Sequence, residues 1–450
     1  MSALQSSVSP YNRMKSRGRE LLDEYYASIL TAKERGQQVA LCYGSGHSEI
    51  LATMNVIEMY LGNYAARSSA AGLIPTLIAE CEAAGFPSEV CSYPHAILGA
   101  LLLAQKGEVD RIPERLRPVR PDFLVFANNC ATKAQWLEAI RHVLEDVPSF
   151  LIDIPYWHDS AHPERNVAYV EAQLEELVVF VERMTGRPFD WEGLKDILHA
   201  GQRVAEWRAK VHKIANRRPA VRALGDAVSV FGVTNTTGLK FRDEGMRVLE
   251  QYEAELEERI ASGVHVIPNE QCRLGFRGLC PWFAIGHIAR TLAEKQTVVA
   301  GCGQYSANYW VQQQATKDIM PNGVDFERPL RTIAVQAALG SFHAKCFNDR
   351  YQQEFIEFHD DYELDGFILP ELRTCRSYAA GVRLMAEQAK KDLGIPSAVF
   401  EADMADPQYY NKGQVETRLH AFVEGILSSG KPPVRVRFQP AERQAAARQG

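Results

Sequence analysis

The chain has 450 residues, of which 46% are hydrophobic and 24% charged, the ordinary composition of a globular protein and not of a disordered or fibrous one. Its formal charge of -6 at pH 7 argues against a general nucleic-acid binder, because such domains normally carry a basic excess. At the usual domain size of roughly 100 to 200 residues, this length predicts two or three domains.

Residues 1–36 are predicted to form an N-terminal helical arm. The opening residues lack the apolar core that a secretory signal peptide requires. The longest apolar runs, such as residues 96–104, are far shorter than the roughly 20 residues that span a bilayer. We therefore expect a soluble, cytoplasmic protein.

Residues 37–160 are predicted to form a first α/β lobe. The runs VALCYG, DFLVFAN and FLIDIP are largely apolar and flanked by turn residues, a pattern typical of parallel strands covered on both faces. The segments between them, such as residues 75–85 and 133–144, have helical spacing. Strands that alternate with helices predict a doubly wound parallel sheet.

The rest of the chain divides into a helical segment, a second lobe and a tail. In residues 161–265 the strand pattern disappears, and charged residues alternate with Val, Leu and Ala at helical spacing. Residues 266–430 return to strands followed by helices, in CRLGFRG, QTVVAG, DGFILP and SAVFEAD. Residues 431–450 are predicted to be a flexible basic tail. The fold class is therefore α/β, with two doubly wound parallel-sheet lobes and a helical insert between them.

The cysteines direct attention to metal or redox chemistry. There are nine, an odd number, and with no export signal a disulfide framework is not expected. No CxxC pair exists in the sequence, so the common zinc-finger, thioredoxin and ferredoxin spacings are all absent. Spacing alone therefore identifies no site.

Three cysteines stand out by their place in the strand and helix pattern. Cys91, Cys130 and Cys375 each precede a helical stretch, and each is predicted to follow a strand. Ligands of open α/β sheets bind at the carboxyl ends of strands, beside helix N-termini that favour negative charge. Three thiolates would suit an iron-sulfur cluster with one iron left open for chemistry.

The alternative is that these cysteines only pack, since cysteine is among the most buried residue types. Cys302, at the end of QTVVAGC, is a rival ligand. For the remaining cysteines packing is the favoured interpretation: Cys42, Cys81, Cys272, Cys280 and Cys346. Several polar residues near strand ends could also orient a substrate: His47, Glu49, Tyr93, His95 and Tyr305. A structural hydrogen bond is the favoured role for each of them, and none is assigned to catalysis.

Three stretches resemble a known family. EVCSYPHAILGALL, LVFANNCATKAQWL and LDGFILPELRTCRSYAAG are similar to the cluster-binding segments of 2-hydroxyacyl-CoA dehydratase subunits and of the related ATP-dependent benzoyl-CoA reductase subunits. CRLGFRGLCPWF and the stretch from IPSAVFEADMADPQYY onwards resemble two further family segments, in the same order. The chain departs from the family at Cys280, where Pro is common, and at Ala402, where Gly is common.

The resemblance implies a 4Fe-4S cluster bound by Cys91, Cys130 and Cys375, a homologous smaller cluster-bearing partner subunit, and an ATP-hydrolysing iron-sulfur activator. The chain has no GxxxxGK[ST] stretch, so we expect ATP to be hydrolysed by the activator. The implied substrate is an acyl-CoA thioester, with no nucleic acid or membrane as partner.

Within the family, length and the LGNYAA segment favour the larger, B-type subunit of benzoyl-CoA reductase. This subunit would take part in single-electron reduction of an aromatic acyl-CoA to a cyclic dienoyl-CoA. Three alternatives stay open: a 2-hydroxyacyl-CoA dehydratase subunit, which eliminates water by radical chemistry; an electron-relay subunit that does not contact substrate; and a two-lobed ligand-binding protein without iron.

Overall fold

A computed structural model describes residues 13–155, 163–233, 242–302, 319–320, 323–340 and 358–429. Its strands are β1 (Val39–Tyr43), β2 (Ile57–Tyr60), β3 (Phe123–Asn128), β4 (Ser149–Asp153), β5 (Cys272–Phe276), β6 (Thr297–Cys302), β7 (Gly366–Leu372) and β8 (Ser397–Ala402).

The first helices are α1 (Arg13–Leu30), α2 (Ser48–Thr53), α3 (Leu61–Ala70), α4 (Ile74–Ala83), α5 (Ser92–Gln105) and α6 (Lys133–Val143). Between β4 and β5 lie α7 (Pro163–Thr185), α8 (Trp191–Ala215), α9 (Leu224–Gly232) and α10 (Arg242–Ala261). The remaining helices are α11 (Ile285–Ala293), α12 (Pro329–Gly340), α13 (Arg376–Ala379), α14 (Val382–Leu393) and α15 (Lys412–Ser428).

The strands form two parallel sheets of the same topology. The first has the order β2-β1-β3-β4 and the second β6-β5-β7-β8, so in each sheet the first strand of the lobe lies between the second and the third. Every strand pair in both sheets is parallel. This is a doubly wound order, and its ligand site is expected where the strand order reverses, beside β1 and β3 or beside β5 and β7.

The predicted fold class is confirmed, with one strand that the sequence pattern missed. The apolar runs of the prediction form β1 and β3 to β8, and β1, β5 and β6 are buried along their whole length, as continuous apolar strands should be. The missed strand, β2, is only four residues long and alternates buried and half-buried positions. So short a run of alternating burial gives too weak a pattern to separate from a turn.

A shared hydrophobic core connects the two sheets. One cluster of buried residues contains Leu41 and Phe126 from the first sheet together with Leu274 and Ile368 from the second. Helix α5 contributes an almost entirely buried sequence to this cluster, which explains why its apolar residues show no polar face. The helix therefore holds its N-terminal residue, next to Cys91, inside the molecule.

The described part of the segment between the lobes consists of helices α7 to α10 joined by turns and contains no strand, as predicted. Helix α8 begins at Trp191 because the preceding Asp190 side chain accepts the backbone N–H of Gly193 at 2.9 Å. In the described part of the chain, no helix combines the length and apolar character needed to cross a membrane. The predicted basic tail, residues 431–450, lies outside the described residues.

Candidate metal centre

Cys130 and Cys375 occupy equivalent places in the two lobes. Cys130 comes shortly after β3 and Cys375 shortly after β7, and each of these strands is the third of its lobe and pairs with the first. Both cysteines are thus at the carboxyl end of a strand where the strand order reverses, the usual ligand-binding edge of such sheets. Helix α6 begins soon after Cys130, and α13 begins immediately after Cys375.

Cys91 lies in a different setting from the predicted one. The residues before it form turns and bends that follow α4, so no strand precedes it as the sequence pattern indicated. Cys91 precedes α5 with a φ of 50° and a ψ of 104°, a conformation that non-glycine residues rarely adopt. Its backbone N–H donates to the carbonyl oxygen of Thr374 at 3.0 Å, which connects it to the loop of the second lobe. This contact over a long sequence separation places Cys91 beside Cys375.

The three thiols lie within electrostatic reach of one another. Burial raises the pKa of the Cys91 thiol well above its ordinary value, and negative charge on Cys375 and on Cys130 raises it further. Burial also raises the pKa of Cys375 to about 12, again with a contribution from Cys130. Three buried or half-buried thiols that repel one another as anions are suited to a cationic metal centre, which would displace their protons on binding.

Backbone N–H groups at helix starts face two of these sulfurs. The N–H of Tyr93 lowers the pKa of Cys91, and those of Tyr378 and Ser377 lower the pKa of Cys375, although burial outweighs them. Hydrogen bonds of this kind favour the thiolate over the thiol. For Cys91 and Cys375, this agrees with the expectation that helix N-termini support negative charge on the thiols.

A buried lysine lies beside the three cysteines. Lys133, the first residue of α6, is 4% exposed, and its Nζ donates to Oδ1 of Asn129. The same nitrogen lies 4.2 Å from the centre of the Tyr43 ring. Burial lowers the pKa of the Lys133 ammonium, whereas negative charge on Cys130, then Cys91, then Cys375 raises it.

Asp403 joins the loops that carry Cys91 and Cys375. It is fully buried, and its carboxylate accepts from the Ser92 hydroxyl, from the Thr374 N–H at 3.0 Å and from the Thr374 hydroxyl at 2.6 Å. The N–H groups of Ala405 and Asp406 donate to the same carboxylate, each at 3.1 Å. One carboxylate therefore fixes the residue after Cys91 to the residue before Cys375.

The other described cysteines are buried in the hydrophobic core. The Sγ atoms of Cys302 and Cys280 lie 3.7 Å apart, and both residues are fully buried. Buried thiols in the core are also found at Cys42, Cys81 and Cys272, as the sequence pattern indicated. The ninth, Cys346, lies outside the described residues.

A second group has the chemistry of a metal site, and some of its donor atoms are already hydrogen-bonded to one another. Donor atoms of Cys42, His47 and Glu58 all lie within 4.8 Å of one another. Glu58 Oε1 lies 2.8 Å from His47 Nδ1 and accepts from the Ser48 hydroxyl at 2.9 Å. The Glu58 carboxylate thus already connects His47 and Ser48, whereas Nε2 of His47 is buried without a hydrogen-bond partner among the described residues.

Of the polar residues noted in the sequence, three are in structural hydrogen bonds. The ring nitrogens of His95 lie 2.9 Å from the Cys91 carbonyl and 3.0 Å from the Pro87 carbonyl, so His95 secures the turn that leads into Cys91. Tyr93 accepts from the indole N–H of Trp282, and His47 pairs with Glu58 as described. Tyr305 lies outside the described residues.

Lys133, Asp403 and Thr374 are the residues that sequence reasoning missed. Lys133 had a local signal. A positive charge at the first position of a helix is repelled by the partial positive charge of the helix N-terminus, so a nearby anion is expected to stabilise it. Asp403 and Thr374 had no local signal, because their partners are far away in the sequence.

Comparison with known proteins identifies the family of this chain. Residues 46–426 match the family described as 2-hydroxyglutaryl-CoA dehydratase, D-component, and this span includes all three cysteines. The chain belongs to this family. The family resemblance noted in the sequence is thereby confirmed.

Individual relatives include both dehydratases and a reductase. The chain is 25% identical to the (R)-phenyllactyl-CoA dehydratase alpha subunit of Clostridium sporogenes over 418 residues, which are 91% of this chain and 95% of that protein. It is 24% identical to the B-type subunit of benzoyl-CoA reductase from Thauera aromatica over 419 residues, 91% of this chain and 93% of that protein. These similarities support a role as an enzyme subunit acting on CoA esters, and they leave lyase or oxidoreductase open.

Proposed function

We propose that Cys91, Cys130 and Cys375 hold one 4Fe-4S cluster at the junction of the two lobes. The observation that carries this proposal is the grouping of three thiols from separate loops beside a buried ammonium. Negative charge on Cys375 and Cys130 raises the pKa of Cys91, and negative charge on Cys130 raises the pKa of Cys375. Thiolates are the usual ligands of such clusters, and three of them leave one iron open. The donor set of the site therefore fits the cofactor that the resemblance implies.

When bound, the cluster supplies single electrons to the reaction. The protein groups around the cluster hold the ligand loops in place and limit the access of water. Asp403 and the Cys91 to Thr374 hydrogen bond hold the ligand loops together. The apolar core around α5 limits access of water to Cys91, which is 7% exposed.

For the reaction, we propose that the chain is the iron-sulfur subunit of an ATP-dependent benzoyl-CoA reductase-type complex, which reduces an aromatic acyl-CoA thioester to a cyclic dienoyl-CoA. The support is the similarity to the Thauera aromatica benzoyl-CoA reductase subunit along nearly the whole of both chains. The proposed partners are a homologous smaller cluster-bearing subunit and an ATP-hydrolysing iron-sulfur activator, and the proposed location is the cytoplasm. Relatives that are named as subunits of larger enzymes agree with such an assembly.

A second candidate is a 2-hydroxyacyl-CoA dehydratase subunit, favoured by the equally extensive similarity to (R)-phenyllactyl-CoA dehydratase. The two reactions differ in electron demand. A reductase leaves two electrons in each product, whereas a dehydratase returns its electron after each turnover.

The test uses the complete complex with its activator, under anaerobic conditions, with benzoyl-CoA or (R)-phenyllactyl-CoA. We expect benzoyl-CoA to be consumed in fixed proportion to ATP and reductant. Many turnovers of the hydroxyacyl-CoA after one priming pulse, without reduction of benzoyl-CoA, would show the dehydratase instead. If neither substrate reacts while the subunit still exchanges electrons with its partner, the chain is a relay.

A further inference from the structure

Lys133 is a buried cation without an ordinary counter-ion. Within the described residues, no carboxylate forms an ion pair with its ammonium, and the hydrogen bond to Asn129 and the contact with the Tyr43 ring are both to neutral groups. A hydrogen bond and a cation–π contact reduce the cost of burying a charge, but they do not neutralise it. A lone buried ammonium would therefore destabilise the fold unless an anion lies nearby.

The position of Lys133 in its helix increases this requirement. It is the first residue of α6, and the first turn of that helix contains no acidic residue. The N-terminus of an 11-residue helix carries a partial positive charge, so the helix and the ammonium add to one positive potential. The ammonium lies next to the loop that carries Cys130, because it donates to Asn129, the residue directly before that cysteine. Negative charge on Cys130, Cys91 and Cys375 correspondingly raises the pKa of Lys133 against the effect of burial.

We propose that Lys133 is the built-in counter-charge of the centre formed by Cys91, Cys130 and Cys375 and that it sets the midpoint potential of the cluster there. This inference rests on the proposed function, because it requires the cluster to be bound. Three thiolates give the cluster a net negative charge, which increases by one on reduction. A fixed positive charge beside it stabilises the reduced form and raises the potential.

The direct test is a redox titration of the anaerobically purified full chain, followed by electron paramagnetic resonance, for wild type, Lys133→Met and Lys133→Arg. Removing the charge in Lys133→Met should lower the ratio of reduced to oxidised cluster at a fixed potential by at least tenfold, which is about 59 mV for a one-electron couple. Lys133→Arg keeps the charge and should stay close to wild type. Lys195→Met, which removes a surface lysine paired with Glu192 on α8, should leave the potential unchanged.

Stability gives an independent readout that does not depend on activity. In cluster-free protein, Lys133→Met should unfold at the same temperature as wild type or higher, because it removes a desolvated charge. With the cluster bound, wild type should gain more stability than the variant. If cluster-free Lys133→Met fails to fold, the lysine is a structural support and the proposal is overturned.

The outcomes separate this inference from the proposed function. Wild-type chain that binds no iron overturns the proposed function itself. Wild-type chain with a cluster whose potential is the same in Lys133→Met overturns only the role of Lys133. A shift in Lys133→Arg as large as in Lys133→Met would assign the effect to packing rather than to charge, and it would also overturn the inference.

Discussion

The backbone N–H of Cys91 donates to the carbonyl oxygen of Thr374 at 3.0 Å, so the loop before α5 is hydrogen-bonded to the loop after β7. The next N–H, that of Ser92, donates to the Thr374 hydroxyl at 2.9 Å. The Asp403 carboxylate accepts from the hydroxyls of both Ser92 and Thr374. The protein itself therefore fixes two of the three proposed ligand loops relative to each other.

This network predicts that Asp403→Asn is strongly destabilising. The amide would place an N–H donor among donors, and hydrogen bonds to a charged group contribute about 1.5–3 kcal/mol each. We expect the free energy of unfolding of the cluster-free protein to fall by about 3 kcal/mol, measured by urea denaturation. Asp110→Asn, at a carboxylate that is 87% exposed, is the control and should change stability by less than about 0.5 kcal/mol. Equal stability of both variants would contradict the role of Asp403.

The sequence predicted the elements of this site better than its connections. Cys130 and Cys375 lie where apolar runs end and helices begin, and that pattern is local. Cys91 was placed after a strand because PSEVC reads as a short extended run, whereas the chain there turns between two helices. The pairing of Thr374 with Cys91 and Asp403 depends on how the two sheets pack, which no local pattern contains.

Close packing of α5 on α4 gives a second prediction, at Gly99. A Cβ at Gly99 would lie 2.2 Å from the Leu77 carbonyl oxygen, a backbone atom that cannot move aside without shifting α4. We expect Gly99→Ala to lower the free energy of unfolding by roughly 1–3 kcal/mol, the usual cost of overpacking. The control is Gly201→Ala in α8, where no atom lies within 4 Å of the new Cβ. It should stabilise by roughly 0.5–1 kcal/mol, since alanine is the better helix former. A neutral Gly99→Ala would show that the helices are not in contact there.

The ion pair between Glu371 and Arg383 predicts a pH dependence of stability. Arg383 donates to both carboxylate oxygens of Glu371, at 2.8 and 2.6 Å, and holds the pKa of that carboxyl below its ordinary value of 4.5. A lowered pKa in the fold means that the pair stabilises above about pH 4.5 and that this contribution is lost as the pH falls through the folded pKa.

Because Arg383 is largely exposed, we expect Glu371→Gln to cost no more than about 1 kcal/mol at pH 7. The difference from wild type should shrink below pH 4.5, in urea denaturation of cluster-free protein at a series of pH values. Arg383→Met should remove the same pH-dependent part. If the difference in the free energy of unfolding between wild type and Glu371→Gln grew as the pH falls, it would contradict a lowered pKa of Glu371 in the fold.

Replacing any one of Cys91, Cys130 and Cys375 by Ala should remove most of the bound iron, because two thiolates do not readily hold a cubane cluster. Iron and sulfide analysis after anaerobic reconstitution measures the loss. Cys42→Ala and Cys81→Ala are matched controls, since both thiols are fully buried in the core, and they should keep the iron.

Cys302 is the informative fourth variant. Its sulfur lies 3.7 Å from that of Cys280, so Cys302→Ala should also keep the iron. Iron that survives all three ligand changes and disappears with Cys302→Ala would show that the ligand set is wrong.

The central claim is that this chain binds one cluster through three thiolates. The most direct measurement is iron and acid-labile sulfide in the anaerobically purified full chain, combined with electron paramagnetic resonance of the reduced protein. The account predicts about four iron and four sulfide per chain and the signal of a single cubane cluster. Folded chain that contains neither iron nor sulfide, even after anaerobic reconstitution with both, would contradict it.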